Sequence, residues 1–330
     1  MKIYFAPLES ISSYPLRNTH SRFFPGIDKY FTPFISANEE GHYSGRIARD
    51  LDPENNTQLS LVPQIMGKNP EAVKEVLHYL AERGYHEINL NMGCPSGTVV
   101  AKGKGAGMLR DLYLLEDFLT SLFSVLPKEM SLSIKCRIGI ADCDGMEALF
   151  SLFNAFPLSE LIVHPRVQKQ FYNGTVRLDQ FAEITKLSKH KLIYNGDIEN
   201  ARSAMYILSR FPSIKGIMLG RGILTNPALA REIRGGAVLE EEEFKRYILS
   251  LEEAFSAEIQ EERNLLQKLK ECWSYFSKNY PCSNKGLKEL RKARTMPEYR
   301  SAKYRIYSEG AFIAYRGKDL STQEKAENNT

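Results

Sequence analysis

The amino-acid sequence predicts an α/β fold, a TIM (β/α)8 barrel followed by a small all-α helical bundle. Short segments rich in apolar and β-branched residues recur between residues 2 and 222, and segments with helical periodicity separate them. Eight strands that alternate with helices close most economically into a parallel, helix-covered barrel. The predicted strands are residues 2–8, 34–38, 61–67, 87–91, 132–139, 161–166, 191–197 and 216–222.

The helical segments between these strands have recognisable ends. The first begins with Pro70 in its first turn and ends at Gly84. A doubly wound sheet is the alternative architecture, but its first strand usually ends in a Gly-x-Gly-x-x-Gly turn. Here the first strand ends in Ala6-Pro7-Leu8, which favours the barrel. The predicted helices are residues 70–84, 111–126, 145–156, 178–190 and 200–211.

The alternation of strands and helices stops after Gly236. Residues 240–310 are rich in Glu, Lys, Leu and Ala with helical periodicity, which is typical of a separate helical bundle. We therefore expect a catalytic barrel over residues 1–236 and a helical domain over residues 237–312. Residues 313–330 form a polar tail, whose last part we expect to be frayed or disordered.

Composition excludes several classes of protein. The chain has 330 residues with 43% hydrophobic content, which is ordinary for a globular protein. No apolar run approaches the roughly 18 residues of a membrane span, and the first residues lack a signal peptide's features. We expect a cytoplasmic protein without a membrane partner and without an obligate protein partner. Five cysteines without Cys-x-x-Cys spacing support neither a disulfide framework nor a structural zinc site.

Charge is distributed unevenly along the predicted bundle. Residues 240–262 contain nine acidic and two basic residues, whereas residues 263–306 contain twelve Lys or Arg and three Glu. Such a segment can be a solvated helix face. A dense basic block beside an acidic one fits a polyanion-binding surface somewhat better.

Polar and cationic residues follow the predicted strands. The chemistry of a TIM barrel gathers at the carboxyl ends of its strands. The residues there lack the carboxylate pair of a glycosidase. They are Pro7, Leu8, Gln64, Asn91, Cys94, Lys135, Arg137, His164, Arg166, Asn195 to Asp197, and Gly220 to Gly222.

The last two strands end in glycine-containing turns, Asn195-Gly196-Asp197 and Gly220-Arg221-Gly222. Gly196 and Gly220 can simply make tight turns, but TIM barrels frequently hold a phosphate there. A phosphate at this place, with Gln64, Asn91 and Lys135 facing a planar polar group, indicates a flavin mononucleotide site. Lys135 near the flavin N1/O2 edge would stabilise the anionic reduced ring.

The order of these motifs resembles the tRNA-dihydrouridine synthase family over about 300 residues. The sequence departs from the family pattern at Leu8, Ser12, Ser13, Leu16 and Pro165, which bears on the target uridine more than on the chemistry. The matching stretches are Ala6-Pro7-Leu8 with Pro15 and Arg17, QIMG (64–67), NLNMGCPS (89–96), GKGAGMLRD (103–111), IKCRIG (134–139), VHPR (163–166), NGDI (195–198) and LGRG (219–222).

The resemblance implies an FMN-dependent enzyme that uses NADPH to reduce the C5–C6 double bond of uridines in the D-loop of tRNA. It implies that Cys94 is the catalytic acid and that Asn91 and Arg137 meet the uracil or the flavin beside it. A thiol with an ordinary pKa is mostly protonated at neutral pH and can give the proton that C5 requires. The implied FMN contacts are Pro7, Leu8, Gln64, Lys135, His164, Asn195, Gly196, Asp197, Gly220 and Arg221.

Residues 265–305 are suited to bind the RNA, whose target base must turn out to reach a barrel mouth. Trp273, Tyr275 and Phe276 have helical spacing and are expected in the bundle core rather than as base-stacking platforms. The residues expected to contact RNA are Lys102, Lys104 and Arg166 in the barrel, and Lys268, Lys270, Lys278, Lys288, Arg291, Lys292 and Arg294 in the bundle.

Four alternatives stay open at this point. Another FMN barrel, such as a dihydroorotate dehydrogenase, reduces the same bond in a free pyrimidine, although it needs no basic bundle. A non-catalytic RNA-binding protein could use the same fold, and Cys94, Lys135 and His164 count against it. Reduced flavin could instead support methyl transfer to uracil, and the RNA could be ribosomal. The target uridine, the preference for NADPH over NADH and the oligomeric state are not set by the sequence.

Overall fold

The computed structural model describes residues 1–317 and 319–320, and its strands form one parallel sheet. Neighbouring strands lie in the order β3-β5-β6-β7-β8-β9-β10-β1-β2-β4. β2 and β3 are two parts of one barrel strand, and β4 and β5 are two parts of the next. Because β2 pairs with β4 and β3 pairs with β5, the two ends of this order meet and the sheet closes. The strands are β1 (Lys2–Phe5), β2 (Lys29–Phe31), β3 (Ile35–Ser36), β4 (Leu61–Val62), β5 (Gln64–Met66), β6 (Glu87–Met92), β7 (Ser131–Arg137), β8 (Leu161–His164), β9 (Leu192–Asn195) and β10 (Gly216–Leu219).

Two of the eight barrel positions are therefore broken strands, and prolines explain the breaks. Pro33 lies between β2 and β3, and Pro63 between β4 and β5, where neither residue can donate to a ladder. Thr32 bridges both breaks, because its Oγ1 accepts the Gln64 N–H at 2.9 Å. The prediction of a TIM barrel is confirmed. The predicted second strand, residues 34–38, was placed too late, since this strand already begins at Lys29.

The helices between the strands match the sequence periodicity closely. Asn69 and Asp111 cap α3 and α5 through side-chain oxygens that accept N–H groups of the first turn. The α-helices are α1 (Tyr14–Phe23), α2 (Gly45–Leu51), α3 (Pro70–Ala81), α4 (Gly97–Ala101), α5 (Leu112–Val125), α6 (Met146–Phe153), α7 (Leu178–Leu187), α8 (Ala201–Arg210), α9 (Arg221–Thr225), α10 (Leu229–Ile233), α11 (Glu241–Glu258), α12 (Glu262–Phe276), α13 (Asn284–Lys292) and α14 (Met296–Glu309).

The chain divides into two compact units. The barrel unit comprises Met1–Glu9, Asp28–Gly196 and Ile207–Met218, and the bundle unit comprises Ser10–Ile27, Asp197–Tyr206 and the described residues from Leu219 on. The predicted boundary at residue 236 stays a prediction. Residue 318 and residues 321–330 of the predicted tail lie outside the described residues.

The barrel interior is apolar in its middle layer and ionic at its amino end. Tyr4, Phe31, Val62, Ile162, Ile193 and Met218 belong to one buried cluster. At the amino end Lys29 forms ion pairs with Glu87 at 2.7 Å and Glu160 at 3.1 Å, and Tyr4 donates to Glu160 at 2.7 Å. This network explains why a strand can begin at a lysine. Such features at the bottom of a TIM barrel serve stability rather than chemistry.

In the bundle unit, a hydrogen-bonded chain links three helices. Trp273 Nε1 donates to Tyr299 Oη at 2.8 Å, and Tyr299 donates to the buried carboxylate of Glu252, which also pairs with Lys303. The prediction that Trp273 and Phe276 belong to the bundle core is confirmed, while Tyr275 is half-buried. No helix among the described residues is both long enough and apolar enough to span a membrane.

Candidate active site

The polar rim of the barrel lies one layer above its apolar core. Side chains two residues apart on a strand share a face. Gln64 therefore lies on the same inward face as the core residue Val62, His164 on that of Ile162, and Asn195 on that of Ile193. The register also places Asn91 beside Lys135, and Arg137 beside His164. The sequence therefore brings these predicted residues together at the carboxyl ends of neighbouring strands.

A chain of side-chain amides crosses this rim. Asn91 Nδ2 donates to Gln64 Oε1 at 2.7 Å, and Gln64 Nε2 donates to Asn89 Oδ1 at 2.7 Å. Asn89 Nδ2 in turn donates to Ser133 Oγ at 2.9 Å, and Ser133 ends the chain at the Ile88 carbonyl. All four side chains are buried, so each hydrogen bond compensates for lost hydration.

The direction of this chain is set by the loop that carries Cys94. Asn91 Oδ1 accepts the backbone N–H of Gly93 at 3.1 Å and of Cys94 at 2.9 Å. Because N–H groups need an acceptor, this oxygen must face the loop, and the Asn91 nitrogen must then face Gln64. One amide thus connects the loop to the interior of the barrel.

The rest of the Cys94 loop is held by three further contacts. Arg137 Nε donates to the Gly93 carbonyl at 2.9 Å, and Gln168 Nε2 donates to the Pro95 carbonyl at 2.9 Å. The Ala106 N–H donates to the Cys94 carbonyl at 3.1 Å. The loop is therefore fixed at each of its residues, and the half-buried thiol of Cys94 projects from a rigid support.

Gly105 lets the following segment close against this loop. Its φ is +56°, and a Cβ added there would lie 3.0 Å from both Cβ and the carbonyl oxygen of Cys94. Only glycine adopts that backbone conformation cheaply, and only glycine leaves room for so close an approach. The glycine-rich segment 103–107 is thus required by the position of Cys94.

The electrostatics of the site keep Cys94 protonated. Burial raises the pKa of the Cys94 thiol, and the nearby Arg137 and Lys135 cations only partly oppose this effect. A thiol whose pKa lies above its ordinary value carries its proton throughout the neutral range. Cys94 is consequently arranged as a proton donor rather than as a thiolate nucleophile.

Lys135 has the opposite electrostatic character. Burial, with the neighbouring Arg137, lowers the pKa of its ammonium to about 8. Among the described residues its ammonium makes no hydrogen bond or ion pair, although the side chain is half-buried. A half-buried, unpaired cation is costly unless a ligand compensates for it, so this site fits a group that carries or develops negative charge.

Arg137 forms hydrogen bonds with backbone carbonyls of the protein through its guanidinium. It is 1% exposed, and besides Gly93 its guanidinium donates to the carbonyls of Val167 at 2.9 Å and Phe171 at 2.6 Å. Its predicted contact with uracil or flavin stays a prediction. The observed bonds instead tie the Cys94 loop to the loop after β8.

His164 and Arg166 interact with each other. Arg166 Nη1 lies 3.2 Å from His164 Nε2, and Arg166 Nη2 donates to the Gly174 carbonyl at 2.6 Å. Since a guanidinium only donates, His164 Nε2 accepts and Nδ1 carries the ring proton. Arg166 is 1% exposed, so its predicted RNA contact, which stays a prediction, would require this side chain to leave its buried position.

Four other predicted FMN contacts lie in the barrel unit. Pro7 and Leu8 are half-buried after β1. Asn195 Nδ2 donates to the Met218 carbonyl at 2.9 Å, and a Cβ at Gly196 would lie 2.9 Å from the Val176 side chain. In the bundle unit, Arg221 pairs with Asp197 at 3.0 Å, next to the half-buried Gly220.

The predicted RNA-contacting residues of the bundle unit fall into two groups. Lys268 donates to the Ser10 carbonyl and pairs with Glu271, and Lys270 donates to the Ala293 carbonyl, so both serve packing within the unit. Arg291 and Arg294 are exposed. In the barrel unit, Lys102 is exposed and Lys104 is half-buried.

Sequence reasoning missed three contributors. Asn89 lies in the middle of the amide chain, and its alternation with Asn91 along β6 was the available signal. Gln168 holds Pro95 across 73 positions of sequence, and nothing local reveals that contact. Lys285 is exposed on α13, one turn before Lys288.

Comparison with known proteins identifies relatives that match most of this chain. A family described as dihydrouridine synthase matches residues 4–307. A tRNA-dihydrouridine(16) synthase of Pseudomonas syringae pv. tomato is 28% identical over 249 residues, 73% of this chain and 77% of that one. A probable tRNA-dihydrouridine synthase of Staphylococcus aureus is 28% identical over 299 residues, 87% of this chain and 86% of that one.

Solved structures show the same barrel. Morphinone reductase covers 72% of this chain and 87% of its own, with a TM-score of 0.51 and 10% identity, which is evidence for the fold alone. The barrel together with the family match identifies the class as an α/β-barrel oxidoreductase. The chain belongs to the dihydrouridine synthase family.

Proposed function

We propose that this protein is a tRNA-dihydrouridine synthase that reduces the C5–C6 double bond of a D-loop uridine with NADPH and bound FMN. The observation that carries the proposal is the rigid Cys94 loop, whose thiol stays protonated near the unpaired Lys135 ammonium. When bound, FMN supplies the hydride that C6 of the uracil requires. The relatives named for this reaction in tRNA support the substrate class.

Lys135 is the residue of the barrel unit best suited to hold the flavin ring. A cation without a protein partner can neutralise charge that develops on the N1/O2 edge of the ring. Gln64 and Asn91 keep their amides fixed, so the wall beside the ring does not need to rearrange. The FMN contacts of Pro7, Leu8, Gln64, Lys135, His164, Asn195, Gly196, Asp197, Gly220 and Arg221 all stay predictions.

Cys94 supplies the proton for C5 of the uracil. The raised pKa keeps the thiol protonated, and the contacts of Asn91, Arg137 and Gln168 fix the loop that carries it. A positioned acid of this kind typically contributes about 10²–10⁴-fold to the rate. The Cys94 thiolate that remains would be reprotonated from solvent.

The exposed basic residues of α13 and the following turn support RNA binding by the bundle unit. Lys285, Lys288 and Lys292 have the spacing of one helix face, and Arg291 and Arg294 are exposed nearby. Cations on one face can follow the phosphates of a folded RNA. The dihydroorotate dehydrogenase alternative acts on a free pyrimidine, and an enzyme with so small a substrate does not need this basic surface.

The direct test uses purified protein with FMN, NADPH and unmodified tRNA transcripts. The account predicts dihydrouridine in the tRNA, detected by nucleoside mass spectrometry, together with stoichiometric NADPH oxidation. Uridine-containing ribosomal RNA and free orotate serve as matched substrates. Reduction of either of these instead of tRNA would replace the proposed substrate while keeping the chemistry.

A further inference from the structure

The barrel unit contains a cavity that the proposed chemistry does not use. Its volume is about 540 Å³, and it lies between the start of α3, the first three turns of α5 and the segment 103–111. Neither Cys94 nor Lys135 nor any member of the amide chain lines it. Pockets of this size are typical of small-molecule and nucleotide sites.

The floor of the cavity is apolar. Met108, Leu115 and Phe118 are almost fully buried, and Leu114 forms an edge that is 62% exposed. The exposed Leu114 continues this buried apolar cluster to the surface, so an apolar face of a ligand such as a base can pack against it.

Two cations line the cavity together with two carboxylates. Lys68 and Arg110 line it, and a Cβ added at Gly103 would lie 3.6 Å from Lys68 Nζ. Lys102 is exposed next to Gly103, and none of these three cations forms an ion pair with the described residues. Two carboxylates, Asp111 and Asp117, also line the cavity. That of Asp111 is occupied by the N–H groups of Tyr113 and Leu114 at the start of α5.

The wall of the cavity is part of the structure that supports Cys94. Gly103 and Gly107 line it, while Ala106 between them donates to the Cys94 carbonyl. Lys68 follows β5 and Gly103 follows β6, so the cavity opens near the carboxyl ends of the strands. That is the end at which a TIM barrel carries its chemistry.

We propose that this cavity binds a nucleotide of the RNA that flanks the target uridine, with its base on the apolar floor and its phosphate at Lys68 and Arg110. The inference rests on the proposed function. A strand whose target base enters the barrel must continue over the rim, and this cavity offers its next nucleotide both an apolar surface and cations. The adenosine phosphate part of a pyridine nucleotide has the same chemistry, and the test separates the two.

The test compares the FMN-loaded wild-type protein with a Lys68→Gln/Arg110→Gln double variant and with Leu114→Ser. Lys128→Gln/Lys191→Gln is the matched control, because both lysines lie at the opposite end of the barrel strands. Fluorescence anisotropy gives the Kd for unmodified tRNA, steady-state kinetics gives the KM for NADPH, and thermal scans report folding. Loss of the charged contacts to one phosphate typically weakens binding about tenfold.

The expected result is a tRNA Kd raised about tenfold in the double variant and raised less in Leu114→Ser. The KM for NADPH, the Tm and the control should stay at the wild-type values. An unchanged tRNA Kd, or a rise in the KM for NADPH alone, overturns the inference. In either case a wild-type protein that still forms dihydrouridine leaves the proposed function standing, whereas inactivity of the wild-type protein on tRNA removes both.

Discussion

At the scale of single residues, the site depends on two groups whose charge states are set by burial. The Cys94 thiol has its pKa raised, and the Lys135 ammonium has its pKa lowered to about 8. At neutral pH both groups are therefore mainly protonated, one as a neutral acid and the other as a cation. Environments that adjust two neighbouring groups for different tasks are typical of active sites.

Replacing Cys94 with Ala removes the proposed acid and leaves its loop intact, because Asn91, Arg137 and Gln168 hold the loop through its backbone atoms and not through the thiol. We expect uridine reduction to fall about 10²–10⁴-fold while FMN is retained. Nucleoside mass spectrometry measures the loss, and flavin absorbance measures retention. Full activity in this variant would exclude the role of Cys94.

Lys135 gives a pH dependence whose sign follows from its lowered pKa. The cation that stabilises negative charge is present below pH 8 and is lost as the pH rises through about 8. A bound anionic flavin can only raise this pKa, so the kcat/KM for tRNA should fall at a pH of about 8 or above. Lys135→Met should be weakly active throughout. Lys135→Arg keeps its charge to much higher pH, so its profile should lose the inflection. An inflection that persists in Lys135→Arg would assign it to another group.

The residue types at the site could be predicted from the sequence, but several of their contacts could not. Asn91, Lys135 and His164 follow strands, and the barrel geometry alone brings them together. By contrast, Arg137 donates hydrogen bonds to backbone carbonyls of two loops, at Gly93 in one loop and at Val167 and Phe171 in the other. Such contacts depend on loop conformation, for which the sequence has no periodic signal.

At the scale of elements, the Cys94 loop and the glycine segment after it form one structure. Gly105→Ala places a Cβ against Cys94 at a φ of +56°, a conformation that costs about 1–3 kcal/mol for a non-glycine residue. We expect a lower Tm and reduced activity, because the loop must shift to admit the methyl group. Gly97→Ala is the matched control in the same region, since nothing lies within 4 Å of the added atom there. Equal behaviour of the two variants would show that the close approach is unimportant.

Element boundaries were predictable where periodicity is strong and uninterrupted. The helices α3, α5 and α8 lie within a few residues of the predicted segments because their caps and apolar stripes are local features. The second barrel strand was misplaced because Lys29 looks like a surface residue. Its charge is compensated by Glu87 and Glu160, which are distant in sequence.

At the scale of the whole molecule, the uneven charge along the chain becomes an exposed basic face on α13. Replacing Lys285, Lys288 and Lys292 with Gln should weaken tRNA binding and lower the slope of log K against log salt by about two to three. Lys186, Lys189 and Lys191 are exposed lysines of the barrel unit, and their replacement is the matched control. Filter binding between 50 and 200 mM salt, a range in which phosphate contacts weaken steeply, measures both slopes, and identical slopes would exclude α13 from the RNA contact.

Nucleoside mass spectrometry of cellular tRNA shows whether this chain reduces a uridine in tRNA. The comparison is between cells with the gene, cells without it and cells carrying the Cys94→Ala variant. The account predicts that dihydrouridine disappears from one D-loop position without the gene and is not restored by the variant. Unchanged dihydrouridine at every position in all three strains would contradict the account.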